Sequence, residues 1–247
     1  MPLEPLDFLN GMLGLVFITI TIILGIIICS KYFKTYDKNF LLVGITLIFL
    51  VSGWYGTSFS FLVALIFNNE GLSYEMIMLL NFVPLPIALF TWMTAFTNFL
   101  YKEKQKFILA GSLAYIVFFF VLFFYFLFNQ PEVIGEKISP VDTKANNIVF
   151  VIILIGLLVT LLITGIKFSI ETIKLGKLET KLKGKLLFVA FISFCVGGFL
   201  DATLPTIAIT LIIFRVILIS SSIEFYGGFI LPKWMKKALL KNELTKE

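Results

Sequence analysis

Residues 8–38 read FLNGMLGLVFITITIILGIIICSKYFKTYDK: an uncharged run from Phe8 to Ser30, then Lys31, Lys34 and Lys38 within eight residues. A tilted helix needs about 20 predominantly apolar residues to cross the hydrocarbon core of a bilayer, and Phe8–Ser30 meets that length. The same grammar recurs at 40–67, 76–100, 107–128, 148–166, 186–204 and 206–231. The chain therefore reads as an all-α polytopic membrane protein, a seven-transmembrane-helix bundle over residues 1–231 followed by a basic tail at 232–247. With 59% apolar residues in 247 and no long polar connection, little chain remains for a soluble catalytic domain.

The lysines orient the spans. Lys31, Lys34 and Lys38 follow the first run; Lys102, Lys104 and Lys106 the third; Lys167, Lys174, Lys177, Lys181, Lys183 and Lys185 the fifth; Lys233, Lys236, Lys237, Lys241 and Lys246 occupy the tail. The alternate segments hold only Lys137 and Lys144, and the twentieth basic residue, Arg215, lies inside run seven. Short loops rich in lysine stay in the cytoplasm, so the N-terminus is expected outside and the C-terminus inside, in a plasma membrane crossed many times. A net charge of +5 placed at membrane ends points to an anionic inner leaflet and away from nucleic acid.

The absence of histidine removes His-ligated haem, the common zinc sites and a histidine general base. No metal, cofactor or enzymatic activity is expected. Cys29 and Cys195 fall at different depths, so no disulfide framework is expected.

Arg215 is the main candidate for function. About 13 Å into run seven at 1.5 Å per residue, an arginine costs about 2.5–3.5 kcal/mol to insert and must face the bundle interior or a wet cavity. It reads as a ligand contact or, alternatively, as a structural hub between helices. Ser58 lies at a similar depth with Thr57 beside it, and Asp201 and Asn81 lie nearer the outer face; these are its expected partners. Gly53-Trp54-Tyr55-Gly56 offers small residues for close approach and aromatics for a pocket wall. Pro84 and Pro86 kink run three and free carbonyls that another helix or water must satisfy, which predicts a cavity near Asn81, with Trp92, Thr94 and Asn98 continuing the line.

Glu224 stands nine residues after Arg215 and so on the opposite helix face, whereas Ser222 and Tyr226 share the arginine's face. Glu224 and Tyr226 are switch candidates; hydrogen bonding to a neighbouring helix is the structural alternative for Glu224. Between runs four and five, the segment 129–147 reads as irregular. Segment 167–185 is expected to prolong helix five and turn back at Gly176 or Gly184, giving a partner or lipid surface of Lys174, Lys177, Lys181, Lys183 and Lys185. In the tail, Trp234, Met235, Ala238 and Leu239 are expected on one side of an interfacial helix.

The segment 40–106, with Gly-Trp-Tyr-Gly in helix two, the acidic turn Asn-Glu-Gly-Leu-Ser-Tyr-Glu, Pro-Leu-Pro-Ile-Ala-Leu-Phe-Thr-Trp in helix three and a basic exit, resembles the N-terminal seven-helix sensor region of microbial histidine kinases. No phosphoacceptor histidine or kinase follows, so the resemblance implies a stand-alone receptor-like sensor that signals through a separate cytoplasmic or membrane partner. A small transporter or channel for an anionic substrate and a structural subunit of a membrane complex are the alternatives.

Overall fold

A computed structural model describes residues 3–145 and 148–244, without the side chains of 145–150 and 241–244. Lys246 and the end of segment 129–147 lie outside the described residues, and so does the side chain of Lys241.

Among the described residues, seven helical segments are long and apolar enough to cross a membrane: Pro5–Thr35, Lys38–Phe67, Tyr74–Leu100, Lys102–Asn129, Val151–Lys174, Leu178–Thr203 and Ala208–Ile230. They are numbered here as spans one to seven. Local signals set their ends. Span one opens on a capping box in which the Asp7 carboxylate accepts from the Glu4 amide, Asp37 accepts from the Asn39 amide, and Ser73 from that of Met76. Gly176, at φ 82°, makes the turn from span five to span six. Gly184 does not turn the chain. It sits within span six, where a Cβ would come within 2.8 Å of the Ile173 amide nitrogen, so its role is to let spans five and six touch.

The helices form a ring. Spans one and two, two and three, three and five, five and six, six and seven, and seven and one pack together, while span four lies outside against span three. Tyr115 links span four to span five by donating to the Ile153 carbonyl. In lipid no hydrophobic force joins helices, so close packing and interhelical hydrogen bonds hold this ring. The bond between Thr21 and Ser222 at 2.7 Å joins spans one and seven, and Thr46 and Thr91 at 2.8 Å join two and three. At the lysine-rich end, Asn98 donates to Asn39, and Gln105 to Asn98 and Thr97, which clamps spans two, three and four.

Two spans are broken at the same level. Span two is α-helical over Lys38–Leu50 and Tyr55–Phe67, with a 3-10 turn at Val51–Trp54 between them. Span three divides into Tyr74–Phe82 and Pro84–Leu100. Each break supplies the other's missing partners. Ser52 Oγ donates to the Asn81 carbonyl at 2.8 Å, the Gly56 amide donates to Asn81 Oδ1 at 2.7 Å, and the Tyr55 hydroxyl donates to the Ile48 carbonyl. Irregular backbone survives at membrane depth only with such compensation.

The connection after span four is ordered rather than irregular. A helical turn at Pro131–Ile134 leads into strand β1 (Gly135–Ser139), which pairs antiparallel with β2 (Asp142–Ala145). The buried side chains of Ile134 and Val141 hold this hairpin against the bundle. Lys137 Nζ donates to the Glu70 and Leu72 carbonyls at 2.6 and 2.8 Å, and Ser60 Oγ donates to that of Pro140. The end carrying this hairpin is called the hairpin end below.

The tail helix Lys233–Leu244 does not present the expected single apolar side. Met235 and Leu240 are buried, Met235 against Gly227, while Trp234, Ala238 and Leu239 face outward. Lys236 pairs with Glu179 and ties the tail to span six. The helix docks on the bundle because Gly227 leaves a seat for the Met235 thioether.

Candidate functional site

At the hairpin end a cavity of about 300 Å³ opens between spans two, three, five, six and seven, with the hairpin over it. That volume stands at the lower end of the roughly 300–1,000 Å³ typical of small-molecule sites. Its walls are mostly apolar, among them Leu85, Leu154, Leu158, Phe194 and Phe199, and β1–β2 contribute Gly135, Asp142, Thr143 and Lys144. The two helix breaks create this space: Gly53, Trp54 and Thr57 line it from one, Asn81, Phe82 and Leu85 from the other.

Arg215 projects into the cavity from span seven and is only 3% exposed. Its Nη2 donates to Asn10 Oδ1 at 2.9 Å, and Nη1 lies 3.3 Å from Asp201 Oδ2. The latter is an ion pair without hydrogen-bond alignment, so Nη1 and Nε both lack an acceptor. Trp54 completes the group: Nε1 donates to Asp201 Oδ2 at 2.7 Å, and the guanidinium lies 5.6 Å from the ring centroid. A cation taken out of water needs such a counter-ion and fixed donors and acceptors around it. The nearby Tyr74 hydroxyl, also in the cavity wall, is buried without a partner.

Asp142 brings a second carboxylate to the cavity. Burial pushes its pKa above the usual carboxylate range, and the neighbouring Asp201 and Asp7 charges push the same way. Hydrogen bonds from the Thr143 amide and the Thr206 hydroxyl oppose that shift.

Of the residues singled out from sequence, Arg215, Asp201, Trp54, Thr57 and Asn81 meet around this cavity. Ser58 does not. Its hydroxyl points at Gly14 of span one, where a Cβ would stand 2.8 Å away, and it has no hydrogen-bond partner. The cause is the 3-10 turn before it: four residues at three per turn, rather than 3.6, rotate the following helix by roughly 80°. Tyr55 likewise turns from the cavity to serve the Ile48 carbonyl. Trp92 lies deeper in the bundle, where it donates to Thr164 at 2.8 Å and packs against Phe168 and Phe191.

Pro86 is buried and Pro84 half-buried at the bend that opens the cavity. Glu224 accepts from Ser220 at 2.8 Å through Oε1, leaving Oε2 buried and unpartnered. Tyr226 packs on the aromatic core, outside the cavity. Among the lysines, Lys174 pairs with Glu171, while Lys177, Lys181 and Lys185 are exposed. Lys183 is half-buried and donates to the Phe229 carbonyl at the end of span seven, so it is in part a helix cap.

Sequence reasoning missed Asn10, Tyr74, Asp142 and Thr206. Asn10 alone left a signal, as an amide inside an otherwise apolar run. No family model, no curated protein and no solved structure matches the chain.

Proposed function

We propose that the protein is a receptor-like membrane sensor that binds a small, largely apolar ligand in the cavity at the hairpin end and relays its occupancy to the lysine-rich end. The observation that carries this reading is a cavity of about 300 Å³ whose buried arginine is already charge-paired while two of its nitrogens remain without an acceptor. Binding sites are concave, mostly apolar and furnished with a few converging polar groups. Arginine used only to join helices has its donors filled by those helices. The pairing of Arg215 with Asp201 also favours this reading over transport of an anion, which calls for uncompensated positive charge.

The seventeen lysines beside alternate membrane ends support an orientation with the hairpin outside and the lysine end in the cytoplasm of a plasma-membrane protein. A chain of aromatic contacts links the two ends, from Trp54 through Phe194 and Phe225 to Phe191 and Trp92. Ligand binding would bias a two-state shift of spans three, six and seven about Pro84, Pro86 and Arg215. Lys174, Lys177, Lys181 and Lys185 then present the changed surface to a separate partner or to anionic lipid.

The test uses the full protein in nanodiscs, a fluorophore on a cysteine replacing Lys181, and a library of small apolar compounds. A binding compound is expected to raise the melting temperature saturably and to change the fluorophore's emission. Thr57→Trp, which fills the cavity, is expected to abolish both responses while the variant stays folded. Saturable binding that survives Thr57→Trp would place the ligand elsewhere and defeat the reading.

A further inference from the structure

The polar contacts of the cavity restrict the chemistry of what enters it. Arg215 Nη2 is used by Asn10, and the positive charge is balanced by Asp201, whose Oδ2 is held by Trp54. What remains unfilled is Nε and Nη1, two nitrogens whose N–H groups point to different sides of the guanidinium, both buried in the wall. A buried N–H without an acceptor is costly, and native interiors rarely leave one empty. The missing group is therefore an acceptor.

An anion is a poor candidate for it. Asp201 already balances Arg215, and Asp142 adds a second carboxylate to the wall while Lys144 of the hairpin is exposed, so a carboxylate ligand at Arg215 would meet Asp201 across the same guanidinium. An amine would leave these N–H groups unfilled and add another cation to the cavity. We infer that the ligand is an uncharged, apolar molecule bearing one carbonyl-type oxygen, a ketone or ester, which accepts from an unfilled N–H of Arg215, at Nε or Nη1, while its hydrocarbon part lies against Leu85, Leu154, Leu158 and Phe199. This rests on the ligand-binding reading of the cavity and narrows it to a ligand class.

Four probes of one chain length separate the possibilities: 2-nonanone, nonanoate, nonylamine and nonane, titrated against the protein in nanodiscs with empty nanodiscs as the partition control. The ketone is expected to bind at least about ten-fold more tightly than each of the others, as one hydrogen bond to a charged donor is worth about 1.5–3 kcal/mol. Arg215→Lys keeps the charge but loses the fixed directions of the guanidinium N–H groups, so the ketone's advantage over nonane is expected to vanish. Asp201→Asn, which frees the arginine's charge without changing shape, is expected to turn the preference toward nonanoate.

Equal binding of ketone and nonane would show that water fills these N–H groups and would overturn the inference. Preference of the wild type for nonanoate or nonylamine would overturn it too. In both of those cases the cavity still binds a ligand and the broader reading stands. Absence of specific binding by all four probes removes both, and Thr57→Trp distinguishes cavity binding from partition into the bilayer.

Discussion

The two halves of the bundle solve the problem of polar groups in lipid in opposite ways. Toward the lysine-rich end, Trp92, Phe191, Phe225 and Phe229 pack around a residual void of only about 10 Å³, and the one indole N–H among them is satisfied by Thr164. Toward the hairpin end, two broken helices, a buried ion pair and a hairpin enclose about 300 Å³. Dense packing gains dispersion contacts at every surface, whereas a cavity wall forgoes them on one side. The first half is thus built for rigidity, and the second gives up stability for space.

This contrast is broken most directly by large-to-small substitution. Phe191→Ala is expected to cost about 3–5 kcal/mol, because the ring contacts Trp92 and Phe225 within 5 Å and Gly165 has no side chain with which to refill the hole. Phe199→Ala, at the cavity wall and 43% exposed, is expected to cost under about 1 kcal/mol. Equal losses in reversible unfolding would show that the two halves do not differ in packing.

A smaller effect sharpens the role of the paired breaks. Asn81→Leu removes the acceptor of the Gly56 amide and is expected to lower stability by about 1–3 kcal/mol, with faster hydrogen exchange at Gly56. Unchanged exchange there would mean that the 3-10 turn of span two does not depend on span three.

The contrast between the halves also shows how far the sequence could be read. Run length and lysine placement made the seven helices legible, since membrane insertion depends on composition over about 20 residues. Pro84 and Pro86 announced the bend in span three. The break in span two had no such announcement: Gly53 and Gly56 permit it, but its stability comes from Ser52 and Asn81, residues 29 apart in sequence. Depth along the chain points to Ser58, but depth does not say which way a side chain faces, and the 3-10 turn at Val51–Trp54 rotates it away. Ser139-Pro140 favours a turn but does not announce the strands beside it, and the hairpin is held by Lys137, Ser60 and buried Val141, all tertiary contacts.

The smallest expected effect is the pH response of the hairpin. Asp142 has its folded-state pKa above its ordinary 3.8, so the folded state binds this proton more tightly than the unfolded one. Its contribution is fully present below the unfolded value and is lost as pH rises through the folded value. Local opening of β1–β2, followed by hydrogen exchange, is therefore expected to become rarer as pH falls across that window. Asp142→Asn is expected to flatten this dependence and to raise the melting temperature slightly at neutral pH. A hairpin that opens more readily in acid would contradict the burial of this carboxyl.

The ring closes by contact between the first span and the last, and this sets an order on biosynthesis. Asn10 enters the membrane with span one, yet its partner Arg215 is made some two hundred residues later. Until then the amide of Asn10 and the carboxylate of Asp201 await the group that joins them. Release of the seventh helix into the bilayer is the event that completes the polar core, so nascent chains halted before it expose to lipid, and to membrane quality control, the groups that the finished protein hides.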